Sequence, residues 1–236
     1  MSTAIVVMSR APIPGKTKTR LMTHLSEEEA AELHKSFLRD ISKLLSSLSN
    51  FNDIKLYLSY TPPVYRHLFD GLIGEDFNFI VQQGRDLGEK MYNSLQQVRA
   101  DNEKQIIIGS DLPFLQPEIF IKAIEELERN DIVFGPTPDG GYYLLGVKES
   151  HPYLFERDCW GGSEVLKKTI AEIDDRARYK YSLIKECRDV DTFEDLQNLS
   201  KELQNPGNWS YYPHYTARYI NFLQSKRGDF DGENWT

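Results

Sequence analysis

The sequence predicts a single α/β domain built on a mixed, mostly parallel sheet with helices on both faces. Three observations predict it. An apolar, β-branched run opens the chain, Ala4–Met8 (AIVVM), of the kind found in a strand covered on both sides. Strand-like runs then alternate with helix-period stretches as far as Phe134, the rhythm of βαβ units. Finally, 236 residues with 40% hydrophobic and 27% charged content suit one large globular core, with no sign of a disordered or fibrous class.

The elements follow in order. Behind Ala4–Met8 comes a loop, Arg10-Ala-Pro-Ile-Pro-Gly-Lys-Thr-Lys-Thr-Arg20, whose prolines and glycine exclude a helix. Ser26-Glu-Glu-Glu29 reads as a capping box, and Ala30, Leu33, Phe37, Ile41, Leu44, Leu45 and Leu48 recur at helical spacing behind it. Ile54–Tyr60 is a strand and Tyr65–Leu72 a short helix behind Pro62 and Pro63. Phe77–Val81 is a strand, Leu87–Val98 a helix, Gln105–Ile108 a buried strand, and Pro117–Glu128 a helix with proline in its first turn. Asp131–Phe134 is another strand. Gly135–Gly141 is rich in turn residues, and the strand Tyr142–Val147 follows too closely for a crossover helix, so these two strands are expected to be antiparallel. A helix over Ser163–Arg176, a strand over Tyr179–Leu183 and a helix over Thr192–Gln204 complete the pattern. Residues 1–204 form the expected catalytic domain. Residues 205–236 form an aromatic extension packed on it, with a helix near Tyr211–Leu223 and fraying from Gly228 onward.

Composition narrows the function classes. The net charge of −8 argues against a general nucleic-acid binder, which presents a basic face. A nucleotide remains a possible ligand, because a local basic pocket can sit in an acidic protein. No run of about 18 apolar residues spans a membrane, and the first eight residues lack the features of a signal peptide. Cys159 and Cys187 have no metal-type spacing and read as reduced thiols, so a cytoplasmic location is expected. The oligomeric state is left open.

Four segments have the residues for chemistry. Arg10, Lys16, Lys18 and Arg20 surround Gly15 in the loop after the first strand, at the sheet edge where α/β proteins bind ligands. Such a cluster suits phosphate oxygens; the alternative is a solvated basic loop. Gly15-Lys16-Thr17 is not a P-loop, which needs a glycine at the position held by Arg10. Asp111, in Gly109-Ser-Asp-Leu-Pro113, follows a buried strand and is placed either to ligate Mg²⁺ or Mn²⁺ or to shape a turn. Asp139-Gly140-Gly141-Tyr142-Tyr143 reads as a ligand wall or as a hairpin turn. In Arg188–Asp195, Asp189 and Asp191 share a face of an extended segment, and one of them can meet Asp111 across a metal; Asp191 is equally a helix cap, with Glu194 completing a capping box. The histidines His24, His34 and His67 lie on expected solvated helix faces, His151 and His214 in loops, and none has a motif around it. Tyr211–Tyr219 reads as core or interface.

Taken in order, Arg10–Leu21, Gln83–Glu89, Gly109–Pro113, Gly135–Gly146 and Asp189–Leu196 resemble the GT-A-like nucleotide-diphospho-sugar transferase family, with related guanylyltransferases of phospholactate and molybdopterin chemistry. The resemblance implies a GT-A sheet, a nucleotide held by the first loop through Arg10, Gly15, Lys16, Lys18, Arg20 and Asp111, and Mg²⁺ or Mn²⁺ on Asp111 and Asp191. It also implies acceptor contacts from Asp139, Gly140, Gly141, Tyr142 and Ser163, the last in Gly161-Gly162-Ser163. The chain departs from the pattern in lacking Gly-x-Gly-x-Arg in the first loop and Asp-x-Asp before Pro113.

The first expectation is therefore a metal-dependent nucleotidyltransferase. It would join a nucleoside triphosphate to a small phosphate- or carboxylate-bearing acceptor, with Lys18 and Arg20 neutralising charge and no protein nucleophile needed. The second is glycosyl transfer from a nucleotide-sugar, for which Asp139 is the candidate base. The third is a nucleotide-binding protein without turnover.

Overall fold

The structure is a computed structural model that describes residues 2–49, 53–156, 160–230 and 235. Its elements are β1 (Thr3–Arg10), α1 (Glu27–Ser49), β2 (Ile54–Thr61), β3 (Phe77–Val81), α2 (Leu87–Arg99), β4 (Lys104–Ile108), α3 (Pro117–Arg129), β5 (Ile132–Pro136), β6 (Tyr142–Val147), α4 (Val165–Arg176), β7 (Tyr181–Leu183), α5 (Phe193–Leu203) and α6 (His214–Arg227). The strands form one seven-stranded sheet in the order β3-β2-β1-β4-β6-β5-β7. All neighbours are parallel except β6, which runs antiparallel to both β4 and β5. The mixed, mostly parallel sheet that the sequence predicts is thus the one found.

Alternation along β1 explains the two cores. Ile5 and Val7 face α1 and α3, packing with Leu38, Ile41 and Phe120. Ala4 and Val6 face the other way, with Leu95 and Val98 of α2 and Ile173 of α4. A third cluster lies beyond the sheet, where Leu33 and Phe37 of α1 meet Leu196 and Leu199 of α5 and Ile220 and Leu223 of α6. Helix ends are set by local chemistry. Ser26 and Glu29 cap α1 reciprocally, each backbone N–H donating to the other's side chain at 3.0 and 3.2 Å. Asp86 accepts from Glu89 N–H to open α2. The start of α6 is capped from outside: Asp40, on α1, accepts from Tyr215 and Thr216 N–H at 3.0 and 2.7 Å.

Four expectations are corrected. The helix expected over Tyr65–Leu72 is a 3₁₀ turn, Pro63–Phe69, interrupted at Tyr65 by non-helical backbone angles. The cap of α5 is Thr192, whose hydroxyl accepts from Asp195 N–H while Asp195 bonds back, rather than Asp191 with Glu194. Asp191 is drawn into contacts with the first loop instead. The tail does not simply fray, since Phe230 and Trp235 are buried in the third cluster; residues 231–234 and 236 lie outside the described residues. His34 is buried at 3% exposure rather than solvated. Among the described residues no helix is long and apolar enough to cross a membrane.

Candidate active site

The carboxyl ends of β1 and β4 open into a cleft of about 840 Å³. The first loop forms one wall, with Arg10, Lys16, Lys18 and Arg20 all lining it. Gly15 does not line the cleft; it belongs to the turn that returns Lys16 N–H to Ile13 O and sits against Glu27. Facing the loop are Asp111 after β4, Thr137, Asp139, Gly141 and Tyr142 from the β5–β6 hairpin, and Asp189 and Asp191 ahead of α5.

Lys18 is the centre of this arrangement. Its backbone is left-handed, φ 53° and ψ 40°, an uncommon state for a residue with a side chain. That turn sends the side chain inward, where it is 3% exposed and passes over the Phe37 ring. The ammonium lies 3.0 Å from Asp111 Oδ1 and 3.1 Å from Asp191 Oδ1, and it also donates to Val190 O. Arg20 approaches the other Asp191 oxygen at 3.4 Å with its side chain 74% exposed. Val190 N–H donates to Asp111 O, so backbone as well as charge joins the two aspartate segments. Burial pushes the Asp111 carboxyl up, but Lys18, His34 and the Ser110 hydroxyl together hold it below the ordinary carboxylate range. Among the described residues Asp189 makes no ion pair, and Lys18 lowers it less than its surroundings raise it. Burial, then the charge of Asp191, pushes it up to about 6.

His34 backs the loop. One ring nitrogen bonds Thr17 Oγ1 at 2.9 Å, the other Ser9 Oγ at 3.1 Å, and Asp111 lies 3.8 Å away. Burial lowers its pKa to about 4, so the ring is neutral at pH 7 and bridges two hydroxyls without adding charge. It therefore fixes the loop to β1 and, through Thr17, sets the residue next to Lys18. Sequence reasoning missed it, although position 34 falls between Ala30 and Phe37 on the apolar stripe of α1.

The hairpin residues serve both readings offered for them. Asp139 Oδ1 accepts from the Thr137 hydroxyl and Gly141 N–H, closing a turn that also walls the cleft. Gly140, at φ 88°, has no room for a side chain: a Cβ there would stand 1.9 Å from Ser163 O. Ser163 thus supports the hairpin through its backbone and does not line the cleft, so neither Gly140 nor Ser163 presents a side chain to a ligand there. The far end of the cleft is set by residues to which the sequence reading gave no role, although Arg85 and Leu87 fall in its matched segment Gln83–Glu89. Gln82 donates to Ser59 O at 2.8 Å, Arg85 and Lys90 bring two more cations, and Leu87, Met91 and Trp160 form an apolar patch. Gly88 lets α2 approach that patch, since a Cβ would meet Phe155 O at 2.0 Å and the Trp160 indole at 2.6 Å.

A second cleft, of about 1010 Å³, lies on the other side of the carboxylates. Arg20, Asp139, Asp189 and Asp191 line both. Its outer wall is built by Phe114, by Lys185 and Arg188, and by Trp209 from the segment after α5.

Asp111, Asp189 and Asp191 are the candidate cation site. Their oxygens are the donors a hard divalent ion takes, and Asp111 Oδ1 is buried with an ion pair but without a hydrogen bond of good geometry. Among the described residues no three acidic, histidine or cysteine side chains converge at metal-binding separations. Lys18 instead supplies the positive charge between Asp111 and Asp191. The oxygens are of the kind such an ion takes, and Lys18 stands where its charge would act.

Known proteins agree with this architecture. A crystal structure from Desulfovibrio desulfuricans G20, provisionally named a nucleotide-diphospho-sugar transferase, superposes with a TM-score of 0.83 at 30% identity, covering 96% of this chain and 98% of that one. The 2-phospho-L-lactate guanylyltransferase of Methanocaldococcus fervens is 28% identical over 202 residues, 82% of this chain and 83% of the relative. The 4-diphosphocytidyl-2C-methyl-D-erythritol synthase of Anaerococcus prevotii shares the fold at a TM-score of 0.55 and 13% identity, over 86% of this chain and 98% of that one. The GT-A-like fold implied by the sequence is the fold observed. A family model described as "Uncharacterized protein conserved in bacteria (DUF2064)" matches residues 44–162, and the chain belongs to that family.

Proposed function

We propose that this transferase moves a nucleotidyl group from a nucleoside triphosphate to a small phosphate- or carboxylate-bearing acceptor. The observation behind the reading is the meeting of the first-loop cations with Asp111 and Asp191 at the carboxyl edge of the sheet. Lys16, Lys18 and Arg20 face the same space from one short loop, Arg85 faces it from just ahead of α2, and Lys90 from α2 itself. That is the charge a triphosphate needs. In the proposed reaction an acceptor oxygen attacks the α-phosphorus, the bond to the bridging oxygen breaks, and pyrophosphate leaves with that electron pair. Lys18 and Arg20 would hold phosphate oxygens and orient the chain, while His34 keeps the loop in register. Asp111 and Asp191, with Asp189 beside them, would hold Mg²⁺ or Mn²⁺, which when bound neutralises charge between phosphates. Asp139 would position the acceptor. Residues 1–204 would form the catalytic body and 205–236 an extension of it, acting in the cytoplasm, where the buried free thiol of Cys187 stays reduced.

The test is titration calorimetry with a panel of nucleoside triphosphates and nucleotide-sugars, with and without Mg²⁺ or Mn²⁺, on wild type and Asp111→Asn. GTP comes first, because the curated relatives are named guanylyltransferases. Metal-dependent binding of one triphosphate, lost in Asp111→Asn, supports the proposal. Binding confined to nucleotide-sugars would replace it with glycosyl transfer, and binding without product formation would leave a nucleotide-binding protein.

A further inference from the structure

We infer that His24, Phe193 and the C-terminal pair Phe230 and Trp235 form a clamp that fixes Arg20 and Asp191 relative to one another, with His24 and Arg227 as positioning residues. The inference rests on the proposed function only for what the clamp serves, a triphosphate held at those two side chains. No motif marks His24 in the sequence. In the structure its ring lies flat on Phe193, the centroids 4.0 Å apart and the planes 5° from parallel. His24 closes the 3₁₀ turn Thr19–Thr23, which carries Arg20. Phe193 opens α5 directly behind Asp191 and the cap residue Thr192. The stack therefore joins, ring to ring, the two segments whose charged side chains meet at the cleft.

That meeting needs a support. Arg20 reaches Asp191 at 3.4 Å from a side chain 74% exposed, and an exposed ion pair is too weak to set the spacing of two segments. Lys18 holds Asp191 from the buried side. On the outer side His24 Nδ1 lies 2.7 Å from the Thr23 hydroxyl, and that hydroxyl donates to Arg20 O at 3.2 Å, which ties the ring to the backbone of Arg20 itself. Stacked rings have a defined contact geometry that two flexible charged side chains lack.

The clamp is closed from the far end of the chain. Arg227, in the last turn of α6, donates to His24 O at 2.9 Å and to Glu29 Oε2 at 2.5 Å, and its guanidinium lies 4.8 Å from the Trp235 ring centre. Trp235 is buried, packs on Phe230 at 4.6 Å and on Phe193 at 5.7 Å, and donates its indole N–H to Gly228 O. Phe230 meets Phe193 edge-on at 5.6 Å, and Gln197 of α5 donates to Phe230 O. Phe193 is thus held between His24 and the two rings of the tail, while His24 is held by Phe193 through its ring and by Arg227 through its backbone. His24, Phe193, Arg227, Phe230 and Trp235 all lie outside the lining of both clefts, so they act through Arg20 and Asp191.

The test follows backbone amides of the ligand-free full chain by NMR hydrogen exchange, in wild type, His24→Ala, His24→Phe, Trp235→Ala and Lys104→Met. Lys104 pairs with Glu128 at the amino end of β4, so its variant is the control for a general loss of stability. Leu21 N–H, which donates to Lys18 O, and Leu25 N–H, which donates to Leu21 O, report on the turn. Both should exchange about tenfold faster in His24→Ala and Trp235→Ala, with Val6 in β1 unchanged, and within about threefold of wild type in His24→Phe, which keeps the stack. Lys104→Met should leave both at the wild-type rate. Calorimetric titration with GTP and Mg²⁺ reads the consequence: affinity should fall about fivefold in His24→Ala and Trp235→Ala, and stay within about twofold in His24→Phe and Lys104→Met. Trp235→Phe, a smaller change, should fall between wild type and Trp235→Ala in both readouts, and it serves if the alanine variant folds poorly. Wild-type exchange at Leu21 and Leu25 in folded His24→Ala, or an equal rise in Lys104→Met, overturns the clamp, as does a GTP affinity unmoved by a loosened turn. If wild type itself binds no GTP, that failure falls on the functional reading, and the exchange rates alone decide the clamp.

Discussion

Replacing Lys18 with methionine keeps the side chain's length and removes its charge. In the folded protein the ammonium touches Asp111 and Asp191 at 3.0 and 3.1 Å while 3% exposed, so the variant leaves two carboxylates facing one another across an apolar side chain. Deleting one partner of a fully buried ion pair costs about 3–5 kcal/mol, whereas exposed pairs contribute about 0–1 kcal/mol. Asp111 and Asp191 keep 35% and 37% of their side chains in solvent, and Arg20 still reaches Asp191, which places the expected loss between those limits. Methionine also relieves the burial of a charge. A destabilisation of about 2 kcal/mol follows, or a fall in melting temperature of about 4–8 °C for a chain of this size. Urea unfolding with an unchanged m-value is the assay. A second readout adds Mn²⁺ without nucleotide. It should raise the melting temperature of Lys18→Met more than that of wild type, because a divalent ion no longer competes with a tethered cation. A variant as stable as wild type and indifferent to Mn²⁺ would refute the idea that Lys18 balances this carboxylate pair.

Acid should weaken the fold through His34. Its folded pKa, about 4, lies below its ordinary 6.5, so the unfolded chain binds the proton first and stability falls as pH drops from about 6.5 to about 4, by up to about 3 kcal/mol. Asp189, raised to about 6, acts in the opposite sense below that pH, so Asp189→Asn should steepen the acid loss seen in urea titrations. Gly140→Ala meets Ser163 O at 1.9 Å in a positive-φ residue and should cost about 2 kcal/mol or more while shifting Asp139; unchanged melting and ligand binding would contradict the hairpin's fit. Asp40→Ala removes the acceptor for Tyr215 and Thr216 N–H and should cost about 1–2 kcal/mol, with faster hydrogen exchange at those two amides. Slow exchange in the variant would show that α6 begins without this cap.

Much of the sheet was legible because its strands are apolar runs placed between capped helices. Ala4–Met8 and Gln105–Ile108 stand out by composition, and Ser26 with Glu29 marks the start of α1 by chemistry alone. The short return from Phe134 to Tyr142 identifies β6 as antiparallel to β5. It does not say that β6 inserts between β4 and β5, since pairing with β4 is a contact over distance in the chain. The site was legible where charge accumulates, at Lys16–Arg20 and at Asp111, and illegible where tertiary contact chooses between local equals. Asp191 and Thr192 are both good caps. The contact of Asp191 with Lys18 leaves the role to Thr192. His34 escaped notice because a polar side chain on an apolar stripe shows its purpose only when Ser9 and Thr17 fold against it.

The helix α1 carries His34 near one end of its buried face and Asp40 about two turns on, and these two side chains hold different parts of the molecule. One clasps the loop that brings Lys18 inward; the other anchors the first turn of α6 and so the course of the segment bearing Trp209. A single rigid rod thus serves as the common ruler for both walls. A shorter chain ending near residue 204 would take Ile220 and Leu223 of α6 away from Leu33 and Phe37, leaving α5 alone to cover that flank of the rod. The C-terminal stretch is better regarded as a brace than as an appendage, and a crystallographer trimming it for tidiness would be loosening the loop at the opposite end.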